Sequence, residues 1–277
     1  MSAKLAISIG TRDRVPLLRT MARSLREVEG LEHATIRVYD DCSENLSRDE
    51  IAGILPEAAE VQVNEQRLGA DRNMHAIYRD FLASGDDLLF SVDSDLVLHP
   101  GCLQVIETLM PETDGILSLY NSRASAPVER LALGGHRLVQ KSALGSAGVI
   151  FGRDLLARVI EEVPASGCYD IDWSHHLHEA GVRLLVTEQS YVQHLGVMEG
   201  FNAGRGIVEF GLNFEPGNRV NEAILAEAFN QVILDERNGL QAAFERVQNS
   251  YSFRVGNAIL HPLRQILIKL SLYRGRF

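Results

Sequence analysis

Positive charge is scarce in this 277-residue sequence: 27 Lys and Arg stand against 37 Asp and Glu, a formal net charge of −10. That balance argues against a general nucleic-acid binder, which would carry a basic face. It leaves an anionic substrate open, because a bound metal ion can invert the local field. Cysteine is nearly as sparse. Cys42, Cys102 and Cys168 are odd in number, widely spaced and without a CxxC pair, which reads as reduced thiols in a cytosolic protein and not as a disulfide frame. The opening "MSAKLAISIG" has too short an apolar run and too little charge for a secretory signal. No apolar run approaches the roughly 20 residues that span a bilayer. Repeats and low-complexity tracts are also missing. The expectation is a soluble or at most peripheral protein, located in the cytoplasm.

What is present is an ordinary globular composition, 45% hydrophobic and 23% charged, with enough chain for one large domain or one domain plus an appendage. Short β-rich runs alternate with helical patterns. "KLAISIG" reads as a strand and "RVPLLRTMARSLREVEG" as a helix closed by Gly30. "ATIRVYDD" and "AEVQVNE" are strands, "GADRNMHAIYRDFLASG" a helix, and "DLLFSVDSD" a strand followed by a helix from about Gly101 to Met110. Such alternation implies βαβ units and a mixed, mainly parallel α/β sheet flanked by helices. A strand "GILSLYNS", a hairpin turning at Gly134–Gly135, a strand "GSAGVIFG", helices "RDLLARVIEEV" and "DIDWSHHLHEAG", and one or two strands in "VRLLVTEQSYVQHLG" complete the core. The expected division is a core over residues 1–205 and a helical extension over 206–277, with two helical stretches around 219–249.

Ligands of open α/β sheets bind beyond the carboxyl ends of the strands. The polar residues there are Thr11 and Arg12, Asp40 and Asp41, Asn64 to Arg67, and Asp93 and Asp95. Four successive strands ending in polar, largely acidic groups look like a built site. Within it "FSVDSDLVLHP" sets Asp93 and Asp95 one residue apart, and two close carboxylates do not both ionise cheaply without a cation between them. Hard oxygen ligands favour Mg²⁺ or Mn²⁺, and such an ion would neutralise charge on a departing phosphate. A bare DxD is also compatible with a solvated strand-end turn. "DSDLV" fits the string of aspartyl phosphatases, but those place it on a first strand, with a later acidic pair that is missing here. A nucleotidyltransferase would need a Gly-Ser turn opening the preceding helix, and "ADRNMHAIYRDFLASG" opens without one.

The ordered series "LAISIGTRDR", "VYDDCSEN", "NEQRLGADRN", "DDLLFSVDSDLVLHPGCL", "YDIDWSHHLHEAG" and "VQHLG" resembles the GT-A-fold glycosyltransferases, in particular the family 2-like group of bacterial polysaccharide synthesis. It covers about residues 4–197. The resemblance implies a GT-A (Rossmann-like) fold, a nucleotide-sugar donor with uridine the commonest carrier, and a divalent metal, Mn²⁺ or Mg²⁺. The acceptor would be a hydroxyl of a glycan or lipid-linked glycan and the transfer inverting; the alternatives are a retaining enzyme of the same fold, or a catalytically inert module of that fold that binds sugar nucleotide or glycan. Asp41 matches the acid that contacts the nucleobase, with Thr11 and Arg12 in the same pocket. Arg67 and Asn73 fall in the segment opening the next helix. Asp93, with Ser94 beside it, would face the ribose or a metal-bound water, Asp95 would ligate the metal, and His194 would approach it from the opposite side.

In that family the second acid of an "ED" pair deprotonates the acceptor. Asp170 matches it, but Tyr169 stands where the first acid is usual, which keeps Asp172 as a second candidate base. Asp170 could equally cap its helix. Trp173, the only tryptophan, either stacks on an acceptor sugar or packs in the core. His194 is either a ligand or a hydrogen-bonded strand-end histidine. His175, His176 and His178 are not read as a metal site, since neighbours on a helix diverge. Last, "FRVGNAILHPLRQILIKLSLYRGRF" carries Arg254, Arg264, Lys269, Arg274 and Arg276 and no acid. A basic amphipathic segment over 254–277 suits an anionic membrane surface at the inner face of the cell membrane, or a helix docked on the core.

Overall fold

The computed structural model describes residues 3–123, 125–164, 167–196 and 210–250. The chain divides into two compact units, Met1–Leu225 and Ala226–Phe277. The basic segment 254–277 lies outside the described residues.

The first unit opens with β1 (Leu5–Thr11), α1 (Val15–Leu25), β2 (Ala34–Asp40), α2 (Arg48–Ile54), β3 (Glu60–Val63), α3 (Ala70–Ala83) and β4 (Leu88–Asp93). It continues with β5 (Leu96–Leu98), α4 (Cys102–Leu109), β6 (Ile116–Ser118), β7 (Pro127–Leu133), β8 (His136–Lys141) and β9 (Val149–Gly152). Then come α5 (Arg153–Glu162), α6 (Tyr169–Glu179), β10 (Leu185–Thr187) and β11 (Val192–His194). Helix α7 (Arg219–Asn249) starts in the first unit and continues into the second.

Nine strands form one mixed sheet in the order β3-β2-β1-β4-β9-β6-β10-β8-β7. The β3-β2-β1-β4 half is parallel throughout. Strand β9 runs antiparallel between β4 and β6, and β10 returns parallel to β6. The β7–β8 hairpin turns at Gly134 and Gly135, both at positive φ (53° and 79°), where a Cβ would be strained. Strand β1 is central, so its two faces both need cover. Ile7 and Ile9 join a core with Leu18 and Met21 of α1, Ile51 of α2 and Ile106 of α4. Ala6, the residue before Ile7, joins the opposite core with Met74, Ile77 and Phe81 of α3, Leu156 of α5 and Trp173 of α6. The two-residue period of the strand thus distributes one short apolar run over two helical layers.

Three details differ from the sequence expectation. The run "DLLFSVDSD" is not one strand: β4 stops at Asp93, Ser94 and Asp95 turn, and β5 leaves to pair with β11 in a separate two-stranded sheet. Helix α2 was not expected; it is held at its start by a capping box in which Ser47 accepts from the Glu50 N–H and Glu50 accepts from the Ser47 N–H. The stretch 219–249 forms one continuous helix instead of two.

Candidate active site

Register places the strand ends side by side. Thr11 pairs with Asp40, Gly10 with Asp93, and Asp40 with Val63, immediately before Asn64. Thr11, Asp40, Asp41 and the Asp93–Asp95 turn therefore lie along one edge of the parallel half, as the sequence pattern expects. Thr11 is buried, and its Oγ1 has no hydrogen-bond partner. Arg12 pairs with Asp13 at 3.2 Å. Asp41 is buried and fully engaged: Oδ1 accepts from the Leu68 N–H (2.6 Å) and Asn64 Nδ2 (3.2 Å), and Oδ2 accepts from the Gly69 N–H (2.8 Å). It clamps the loop that opens α3, where Gly69 takes a positive φ of 84°. Buried Asn73 accepts from Asn64 Nδ2 at 2.8 Å, and Arg67 is exposed.

The Asp93-Ser94-Asp95 turn stays tied to β1 through the Ser94 N–H, which donates to the Gly10 carbonyl at 3.0 Å. Asp95 is only 2% exposed. Its Oδ2 accepts a hydrogen bond from Arg14 Nη1 and lies 3.3 Å from His194 Nε2. Its Oδ1 is buried without a partner. The β5–β11 ladder, which pairs Leu96 with His194, brings the histidine there. Burial pushes Asp93 up to about 6, helped by the neighbouring Asp95 charge. Burial acts on Asp95 in the same direction, yet the bond and charge of His194 and the Arg14 guanidinium hold it below the usual carboxylate range. One carboxylate of the pair is held ionised and the other sits closer to neutrality.

Among the described residues no cluster of three or more His, Cys, Asp or Glu could by itself enclose a metal ion. The residues do fit an ion held by few protein donors. Asp95 and His194 converge, one Asp95 oxygen is buried without a partner, and Gly196 approaches so closely that a Cβ there would lie 2.1 Å from Asp95 Oδ2 and 2.7 Å from His194 Nε2. Mg²⁺ and Mn²⁺ sites of this kind are completed by water and substrate phosphates.

On α6, Cys168 occupies the cap position and Asp170 lies within the first turn. Asp170 Oδ1 accepts from the Ile171 N–H at 2.9 Å. Burial raises its pKa, and Asp71 and Asp172 add to the shift. Asp172 is exposed. Trp173, 2% exposed, packs in the core: its ring lies 5.2 Å from Tyr78 and Tyr169, 5.3 Å from His75 and 5.9 Å from Phe151. That is the packing alternative, and it leaves no face for an acceptor sugar. A cavity of about 20 Å³, room for one water, lies among Tyr78, Ser146, Tyr169, Asp170 and Trp173. Tyr78 and Tyr169, which both line it, share a hydroxyl contact of 3.2 Å. His176 pairs with Glu162 at 2.7 Å.

Sequence reasoning missed Arg14, which carries no spacing signal in "TRDR", and His75, whose buried Nε2 lacks a partner beside Tyr169 and Trp173.

This fold is the one seen in solved glycosyltransferases. The S. aureus TarS 1-349 structure in complex with UDP aligns at a TM-score of 0.53 and 15% identity, over 68% of this chain and 59% of that one. The TarS 1-349 complex with UDP-GlcNAc gives 0.52 and 15%, over 68% and 57%. The mannosyltransferase PcManGT from Pyrobaculum calidifontis, in complex with GDP-Man and Mn²⁺, gives 0.51 and 15%, over 97% of this chain and 87% of that one. At such identity the likeness speaks to the fold. The chain spans under two thirds of the TarS structures it matches. No family model and no curated protein matches the sequence.

Proposed function

We propose that this protein is a metal-dependent, inverting glycosyltransferase that moves a sugar from a nucleotide-sugar donor to a hydroxyl of a glycan or lipid-linked glycan in bacterial surface polysaccharide synthesis. The observation that carries the reading is the meeting of Asp93, Asp95 and His194 at the ends of strands whose neighbours end in a polar pocket, on a fold shared with enzymes bound to UDP, UDP-GlcNAc and GDP-Man. Thr11, with its unsatisfied buried hydroxyl, and Arg12 form the nucleotide side, and the Asp41 clamp on residues 68–69 shapes it. Arg67 and Asn73 border the same loop, and Ser94 fixes the turn against β1. Asp95 and His194 would hold the metal, with Asp93 facing the ribose or a metal-bound water. A divalent ion there supplies neutralising charge to the departing diphosphate.

Asp170 takes the proton from the acceptor hydroxyl as that oxygen attacks the anomeric carbon, and its raised pKa suits a base that must release the proton again. Asp172, exposed on the same helical turn, is the alternative base. Uridine is the expected nucleoside, and residues 254–277 the expected contact with an anionic membrane surface.

A thermal-shift panel of nucleotide sugars with and without Mn²⁺ tests the reading. Binding to the native state raises the melting temperature, and one donor class should do so in a metal-dependent way; a flat panel would sink the proposal. Asp170→Asn should then abolish transfer while keeping that shift. Transfer surviving in the variant would move the base to Asp172.

A further inference from the structure

The chemistry outlined above leaves Arg14 without a part, yet Arg14 donates directly to the acid proposed to hold the metal. Its guanidinium donates to Asp95 Oδ2, the same oxygen that faces His194 Nε2. The arginine side chain is 34% exposed, so it enters the site from solvent and has a way out. Its main chain is fixed. The preceding residue, Asp13, sits at a left-handed φ of 52°; its N–H donates to Ser43 Oγ at 2.8 Å, and its Oδ1 accepts from the Glu44 N–H at 2.7 Å. Arg14 then occupies the cap position of α1 without making a side-chain cap bond. A rigid base with a long flexible side chain is the construction of a tethered cation.

An ion shared by Asp95 and His194 Nε2 would take Oδ2, the carboxylate oxygen that faces the imidazole, and the guanidinium already bound to that oxygen would be repelled by the second cation. His194 need not leave, since a neutral imidazole is itself a metal ligand. Arginine must, because it keeps its charge and has no lone pair to offer. We propose that Arg14 holds Asp95 in the donor-free protein, is displaced from it by the incoming divalent metal, and then binds the diphosphate of the donor that arrives with that metal. This rests on the functional reading above. Metal and diphosphate are thereby coupled: metal alone must break the Arg14–Asp95 contact without recompense, whereas the diphosphate gives the freed guanidinium a bidentate partner. Each ligand strengthens the other by the same factor.

Mn²⁺ binding to the full chain, read by electron paramagnetic resonance of the free ion, tests the proposal in the presence and absence of UDP or GDP. Arg14→Gln should bind Mn²⁺ alone about 10-fold more tightly than the wild type, and the tightening that nucleoside diphosphate confers on the wild type should shrink by a similar factor, within the usual range of coupling between sites. Arg14→Lys should retain part of both effects. Asp95→Asn should remove Mn²⁺ binding under both conditions, placing the ion at this carboxylate. Unchanged or weaker binding of Mn²⁺ alone by Arg14→Gln overturns the proposal and leaves the glycosyltransferase reading intact, as does an Asp95→Asn variant that still binds. If the wild type takes up no Mn²⁺ even with UDP or GDP, the proposal and the metal-dependent reading fall together. Circular dichroism of Arg14→Gln checks the fold, which the substitution should spare because α1 gains no cap bond from this side chain.

Discussion

At the scale of single residues, Gly196 shows how a small side chain can be required by its neighbours and not by its own backbone. A methyl group at this position would sit 2.1 Å from Asp95 Oδ2, inside any permitted contact, so Gly196→Ala must push the carboxylate or the β5–β11 ladder aside. Overpacking of this kind costs about 1–3 kcal/mol. The expected result is a modest drop in melting temperature together with loss of the Mn²⁺-dependent shift; a variant that keeps the shift would show that the close approach has no part in metal binding. Lys141 is the opposite case, a long cation held in the core. It is buried, its Nζ donates to the Ser122 carbonyl at 2.6 Å, and burial lowers its pKa to about 8. Between pH 8 and the ordinary lysine value of 10.5 the unfolded chain therefore holds a proton that the folded chain has released, and the Lys141 contribution to stability rises with pH across that window. Lys141→Met should be most favourable relative to the wild type near neutral pH, with the advantage shrinking toward pH 10.5. Urea denaturation of both proteins at pH 7.5, 9 and 10 measures it, and a difference that does not vary with pH would refute the assignment.

At the scale of elements, Arg153 explains why α5 and α3 stay in register with the sheet. From the start of α5 its guanidinium donates to the carbonyls of Leu82 (2.8 Å), Phe81 (3.1 Å) and Ser84 (2.9 Å) at the end of α3, and its Nε donates to Asp86 (2.7 Å). The group also lies 4.8 Å above the Phe81 ring. It adds a charged donor to carbonyls at a helix end, one of which, Phe81, also accepts from the Ser84 N–H and hydroxyl. Arg153→Met should cost about 1.5–3 kcal/mol, the range for hydrogen bonds to a charged group, read as a lower urea midpoint at unchanged slope. Strand–helix alternation was legible because β1, β2 and β4 are covered on both faces and so read as short unbroken apolar runs. The break after Asp93 was not, since "FSVDSDLVLHP" stays apolar on both sides of a turn whose cause is a distant strand, β11. Helix α2 was signalled by Ser47 and Glu50 at capping-box spacing, but its seven residues are too few for a periodic pattern. The candidate site divides likewise. Parallel topology alone gathers the strand-end polar residues, whereas the engagement of Asp41 by the 68–69 amides, the core position of Trp173 and the reach of Arg14 into the Asp95 site all depend on contacts between segments far apart in sequence.

At the scale of the molecule, the question is where the folding unit ends. The first unit extends to Leu225, and the start of α7 shows why. Asn221 is fully buried; its Nδ2 donates to the carbonyls of Leu98 (2.8 Å) and Pro216 (2.9 Å), and its N–H donates to Asn218 Oδ1 (2.8 Å). Asn218 in turn donates to Glu27 at 3.3 Å, and Ile224 is buried one turn further on. The Leu98 carbonyl closes β5, the strand that carries the chain away from Asp95, and it also accepts from Ser24 Oγ of α1 at 3.1 Å. Removing Asn221 therefore strips one of the two donors named here from a buried carbonyl at the end of the strand that follows Asp95. A chain ending at residue 205 should melt well below the full protein, since a lost partner at a buried polar group costs about 1–3 kcal/mol and burial of Ile224 is lost as well. A chain ending at residue 250 retains all of these contacts and should melt close to the full protein. Donor-dependent thermal shifts should follow the same order, absent or weak at 205 and preserved at 250. Equal melting temperatures for the two truncations would show that the start of α7 is dispensable to the core, and that the unit closes at 205 without it.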